Sequence, residues 1–197
     1  MFPKSTLTYY NQNAQSFATT TVSVDFTATQ ARFTAHLPQG GSILDFGCGS
    51  GRDTKHFLDQ GFCVEAIDGS VELCKLASQY TGIPVKHMLF QELDAVEQYD
   101  GIWACSSILH LPLEELSLVL EKMARALKPH GVIYTSFKYG DFAGERNGRY
   151  FTDMTETSFA ALMQNIPSLM TEEQWITSDV RPGRGDEKWL NVILRKE

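Results

Sequence analysis

The sequence predicts a doubly wound α/β fold, a mostly parallel sheet with helices on both faces. Three observations predict it. Strand-like and helix-like segments alternate repeatedly along the 197 residues, as right-handed β-α-β crossovers require. "GIWAC" (101–105) is a continuous apolar run, the pattern of a strand covered on both faces. "ILDFGCGSGRD" (43–53) joins an apolar strand to a helix through closely spaced glycines, and such sheets bind ligands at the carboxyl ends of their strands.

The elements follow in order. A polar stretch containing Tyr9 and Tyr10 precedes a helix expected over about 27–37, and "PQGG" then breaks the chain. Ile43 to Phe46 reads as a short buried strand. The glycine loop leads into a helix ending near Gln60, with Gly61 as its C-cap. "FCVEAI" (62–67) is the second strand, and Ser70 is placed to cap a helix over Val71 to Tyr80. A third strand is expected near Val85 to Leu89, and "GIWAC" is the fourth. Leu113, Leu116, Leu120, Met123 and Leu127 recur at helical spacing. "KPHG" should end that helix before a fifth strand, "VIYTSF" (132–137). A helix in "ETSFAALMQNI" and an antiparallel pair around 175–180 and 189–194 complete the chain.

Composition narrows the function. Hydrophobic residues make up 43% and charged residues 21%, the balance of a globular protein. No apolar run approaches the roughly 20 residues that cross a bilayer, and the N-terminus lacks a signal-peptide pattern. A single cytoplasmic domain over 1–197, with no membrane partner, is expected. Cys48, Cys63, Cys74 and Cys105 are scattered without a C-x-x-C pair, so reduced thiols and no metal site are expected. A net charge of −7 makes nucleic acid a poor default partner, because phosphate neutralisation drives that binding.

Gly47, Gly49 and Gly51 form G-x-G-x-G, whereas the dinucleotide fingerprint needs a glycine at 52, where Arg52 stands. Asp53 would bring a carboxylate to the helix start, which repels phosphate and suits a ligand carrying an amino group. Asp68 ends the second strand about 20 residues beyond the first glycine, where an acid accepts hydrogen bonds from a ribose diol. Loop and acid together indicate an adenosine-containing ligand. The competing structural explanations are an ordinary strand-to-helix turn for the glycines and a helix-start carboxylate for Asp68.

"ILDFGCGSGRD", "VEAIDGS", "YDGIWACSSILHLP" and "LKPHGVIYTSFKYG" occur in order along the chain. Together these blocks resemble the class I S-adenosylmethionine-dependent methyltransferases, particularly a small bacterial, tellurite-resistance-related group. The resemblance implies a seven-stranded Rossmann-like sheet with one antiparallel strand in the C-terminal hairpin, and S-adenosylmethionine as cofactor. It implies that Gly47, Cys48 and Gly49 lie against the methionine part, with Asp45 organising the turn and Asp53 near that end. Asp68 is implied to hold the ribose, with Gly69 and Ser70 bordering the adenosine. Phe90, Gln91 and Glu92 are implied near the adenine, where Gln91 or Glu92 must replace an aspartate common in relatives. Cys105 and Ser106 should face the cofactor. Residues 1–25 are expected as a lid carrying Tyr9 and Tyr10, whose rings would attract the sulfonium.

The implied reaction is in-line methyl transfer to a small-molecule acceptor. His110, following the fourth strand, is a candidate general base if the acceptor arrives protonated; the alternative is a packing histidine. Lys138, Tyr139, Arg149, Arg181 and Arg184, with Arg146 and interleaved aromatics, are candidates to clamp an anionic or aromatic acceptor. The alternative is a solvated surface set. Two other functions compete: a cofactor-binding sensor without turnover, and a nicotinamide-dependent oxidoreductase, which Arg52 opposes.

Overall fold

The computed structural model describes residues 4–181 and 183–197. The chain forms α1 (Lys4–Thr21), α2 (Thr27–Thr34), β1 (Ser42–Phe46), α3 (Arg52–Asp59), β2 (Cys63–Asp68) and α4 (Val71–Thr81). There follow β3 (Val85–His87), β4 (Tyr99–Ala104), α5 (Leu113–Ala126) and β5 (Leu127–Lys138). The last third holds β6 (Ala143–Arg146), β7 (Arg149–Thr152), α6 (Glu156–Met163), β8 (Leu169–Ser178) and β9 (Lys188–Lys196). Seven strands make one sheet in the order β3-β2-β1-β4-β5-β9-β8. β9 runs antiparallel to both neighbours, and the remaining pairs are parallel. Strand order reverses between β1 and β4, which opens a cleft at their carboxyl ends.

The central strands are short, apolar and buried on both faces because helices cover them. On one face α5 and α6 supply Leu116, Leu120, Met123 and Phe159. On the other, Phe33 of α2 and Phe57 of α3 pack on Trp103 of β4, whose ring stacks on Tyr134 of β5 with centroids 4.1 Å apart. α4 starts at Ser70 as expected, with Ser70 Oγ accepting from Leu73 N at 3.2 Å.

Three features differ from the sequence expectation. The polar N-terminal stretch is an 18-residue helix; it is rich in Ser, Thr and Asn, which favour caps over helix interiors, so tertiary contacts hold it. "KPHG" is not a loop: β5 begins at Leu127, and His130 takes a positive φ of 64° inside the strand. β6 and β7 form a separate antiparallel hairpin in a stretch where no element was expected.

The glycine loop explains its own composition. Gly47 has φ 90°, and a Cβ there would lie 2.6 Å from Ser107 Cβ. Gly51 has φ 81°, and a Cβ would lie 2.8 Å from Thr81 Cγ2 of α4. Both positions exclude other residues through backbone conformation and through contact with the chain's own side chains.

Candidate active site

A cleft runs under α1 across the carboxyl ends of β1, β2, β4 and β5. One end is built on main chain. The N–H groups of Gly47 and Cys48 both donate to Ile67 O, at 3.0 and 2.9 Å, fastening the loop to β2. Asp68 accepts from Gly49 N at 2.9 Å and Ser70 N at 2.8 Å, one bond on each carboxylate oxygen. Lone pairs on both oxygens remain for a ligand. Burial pushes the Asp68 carboxyl above its ordinary range, and the two N–H bonds oppose that shift. Gly69, Ser70, Met88, Leu89 and Phe90 continue the wall.

Asp53 is positioned differently from the sequence expectation. It accepts from Gln30 Nε2 at 2.6 Å, from Arg52 Nε and Nη2 at 2.8 Å each, and from Trp103 Nε1 at 2.9 Å. Its charge is balanced by Arg52, so it leaves no repulsive carboxylate at the helix start, and that argument against phosphate fails. It anchors Arg52, whose guanidinium lies over the Phe26 ring and reaches Cys105 Sγ at 3.9 Å. Asp45 stands behind the loop and accepts from Thr54 Oγ1 at 2.5 Å. Burial, then the nearby Asp53 charge, hold its carboxyl above the usual range.

The other end is built from side chains on loops. Ser106 takes a φ of 51° and donates its N–H to Ser136 Oγ at 2.9 Å. Burial, then the Asp53 charge, push the neighbouring Cys105 thiol up to about 12. His110 Nδ1–H donates to Tyr150 O at 2.6 Å, which leaves Nε2 unprotonated to accept from Tyr10 Oη at 2.9 Å. Burial lowers His110 to about 4. Arg149 packs over the rings of Tyr9, Tyr10 and Phe151 at 4.4, 5.8 and 5.2 Å. Arg181 is bidentate to Asp179, at 2.9 and 2.5 Å; against the effect of burial, it holds that carboxyl down at about 2. Lys138 pairs with Glu187, which Arg184 also approaches at 3.8 Å.

Of the sequence candidates, Tyr10, Gly47, Cys48, Gly49, Asp53, Asp68, Gly69, Ser70, Phe90, Cys105, Ser106, His110, Lys138, Arg149, Arg181 and Arg184 line this one cleft. Five do not. Gln91 donates to Glu115, and Glu92 accepts from Leu89 N at 2.7 Å, so both amide and acid are turned away from the adenine wall. Tyr139 is exposed and donates to Glu156. Tyr9 supports Arg149 and Tyr10 from behind, and Asp45 braces the loop.

Sequence reasoning expected Tyr10 on a lid here and missed Leu7 and Phe17 beside it in the roof. Leu7, Tyr10 and Phe17 of α1 line the cleft. Leu7 and Phe17 come within 2.9 and 3.1 Å of where a Cβ would stand on Gly69 and Gly49. With Ala14 they recur at i, i+3, i+7 and i+10, a helical stripe that the polar composition obscured.

A glycine cradle beside a buried acid with open lone pairs fits an adenosine group, and the fold and site together define a Rossmann-like nucleoside-binding protein. Comparison with known proteins adds the chemistry. Residues 43–131 match the family described as "Methyltransferase domain". The ubiquinone biosynthesis O-methyltransferase of Xanthomonas axonopodis pv. citri (strain 306) is 31% identical over 106 residues, which is 50% of this chain and 44% of that protein. The chain spans about half the length of the curated relatives it matches. The 1,6-didemethyltoxoflavin-N1-methyltransferase of Burkholderia thailandensis, solved with 1,6-didemethyltoxoflavin and S-adenosylhomocysteine, has 25% identity and a TM-score of 0.77. That match covers 96% of this chain and 84% of that one. A TehB-like methyltransferase structure from Corynebacterium glutamicum ATCC 13032 has 19% identity and a TM-score of 0.68 over 97% of this chain and 98% of that one. It shares the fold, and does not place the chain in the tellurite-resistance-related group. By these matches the chain is similar to S-adenosylmethionine-dependent methyltransferases, and its sheet has their Rossmann-like fold.

Among the described residues, no helix is long and apolar enough to cross a membrane. No group of three or more His, Cys, Asp or Glu side chains among them is placed to hold a metal ion.

Proposed function

We propose that the protein methylates a small-molecule acceptor held between α1, the β6–β7 hairpin and the loop after β8. The observation that carries this reading is the continuity of the cleft, which runs from Asp68 and the glycine loop to Arg149 and Arg181. The Burkholderia relative, solved with a small heterocycle beside S-adenosylhomocysteine, supports a small acceptor, as does the absence of a large insertion between strands. The acidic balance of the chain disfavours nucleic acid.

In this reading Asp68 accepts the ribose hydroxyls, while Gly69, Ser70 and Phe90 border the adenosine. The backbone of Gly47, Cys48 and Gly49 faces the methionine part. Met88, Leu89 and Phe90 hold the adenine by shape, since the nearby Gln91 and Glu92 side chains are engaged elsewhere. Asp53 acts through Arg52 rather than touching the cofactor. Cys105, Ser106 and Tyr10 border the reactive end. When bound, S-adenosylmethionine supplies an electrophilic methyl group that needs orientation and exclusion of water more than activation. α1 excludes water. His110, with Nε2 engaged and its basicity lowered by burial, serves as a positioning residue that fixes the Tyr10 hydroxyl.

Calorimetry with S-adenosylmethionine, S-adenosylhomocysteine and NAD tests the cofactor, and binding of NAD alone would sink the reading. A screen of small thiols, amines and carboxylates for S-adenosylhomocysteine release tests turnover. A blank across all classes, with the cofactor bound, would favour a sensor over an enzyme.

A further inference from the structure

Five cations, Lys138, Arg146, Arg149, Arg181 and Arg184, come from the loops around the acceptor end. Four have carboxylate partners: Glu187 for Lys138 and Arg184, Asp153 for Arg146 at 2.8 Å, and Asp179 for Arg181. Arg149 has none among the described residues. Its Nε is buried without a hydrogen-bond partner, while its guanidinium rests on aromatic rings and lines the cleft. A guanidinium held this way is pre-ordered and under-solvated, so it favours an incoming anion.

Among the described residues the cleft also lacks an available base. Asp53 and Asp179 have their oxygens filled by Arg52, Gln30 and Trp103, and by Arg181 and Trp189. His110 accepts from Tyr10, and Lys138 is paired with Glu187. Asp68 lies at the ribose end. An acceptor that reached this site protonated would have no side chain to take its proton, and an ammonium would be repelled by Arg149.

We propose, resting on the methyltransferase reading, that the acceptor is a planar organic anion whose charged edge is held by Arg149 and whose ring packs between Tyr10, Phe151 and Trp189. The anion's lone pair forms the bond to the methyl carbon as the carbon–sulfur bond breaks and its pair stays on sulfur. No proton is left over, and one negative and one positive charge disappear together. That annihilation is favoured wherever the site excludes water, because each separate charge is then poorly solvated.

The test is calorimetry on the protein saturated with S-adenosylhomocysteine, using benzoate, salicylate and 4-nitrophenolate against benzamide and benzylamine. At least one anion should bind, about tenfold or more tighter than benzamide, the range of a charge-assisted hydrogen bond. Arg149→Gln should abolish that preference. Should this variant also lose S-adenosylhomocysteine, Arg149→Lys decides, because retained charge must retain the preference. Equal binding of benzamide, a preference for benzylamine, no anion bound, or a preference that survives in Arg149→Gln would each overturn the proposal. Failure of wild-type protein to bind S-adenosylhomocysteine is a separate result, which removes the methyltransferase reading itself.

Discussion

The two ends of the cleft are built by opposite means. The end proposed to hold the cofactor is built on backbone: two N–H groups on one carbonyl, and one carboxylate gripping two more N–H groups. The end proposed to hold the acceptor is built from side chains on a hairpin and loops, with cations mostly neutralised by neighbours. The first arrangement tolerates little change, since moving it means moving the sheet. The second can be rewritten by substitution, because loops carry specificity on a fixed scaffold. One fold can therefore keep its cofactor while its acceptors diverge.

The comparison is broken most directly at Asp53. Asp53→Ala leaves Arg52 without its partner and frees Trp103 Nε1 and Gln30, so urea denaturation should show a loss of about 3–5 kcal/mol, as for other broken buried pairs. An unchanged midpoint would mean that the Arg52–Asp53 anchor carries no weight. If Asp68 holds the ribose as proposed, Asp68→Ala should cost about 1–3 kcal/mol of S-adenosylhomocysteine affinity; unchanged affinity would remove the carboxylate from the proposed site.

At the acceptor end, His110 sets a pH limit. Above about 6.5 it is neutral in folded and unfolded chains alike. As pH falls toward about 4, the unfolded chain takes up a proton that the buried ring refuses, so stability declines across that window. His110→Gln should flatten this part of a stability–pH profile, and an identical profile would place the acid limb elsewhere. The smallest effect is expected for Tyr139→Phe, which removes an exposed bond to Glu156 and should leave the urea midpoint unchanged. A clear loss of ligand binding would return Tyr139 to the site.

The same contrast decides what was legible in the sequence. Strand–helix alternation, the Ser70 cap and the Asp68 position are local signals, and the sheet order and single antiparallel β9 agree with them. The β6–β7 hairpin was not legible, because "AGER" and "RYFT" carry no apolar alternation and are fixed by packing. The pairing of Arg181 with Asp179 spans only two positions, yet chain proximity alone did not say which of the five cations would lack a carboxylate. Asp53 misled for the same reason: its partners Gln30 and Trp103 come from α2 and β4.

The roof has a consequence for how the protein is made. Thr6 accepts no neighbour's help: its hydroxyl receives Tyr150 N, 144 positions along, and Asn11 meets Ser70. A helix so poor in intrinsic propensity depends on those docking contacts, some with α4 nearby in the chain and some with the β6–β7 hairpin far along it. Closing the roof therefore joins segments 144 positions apart, a long-range contact that is costly to form early in folding.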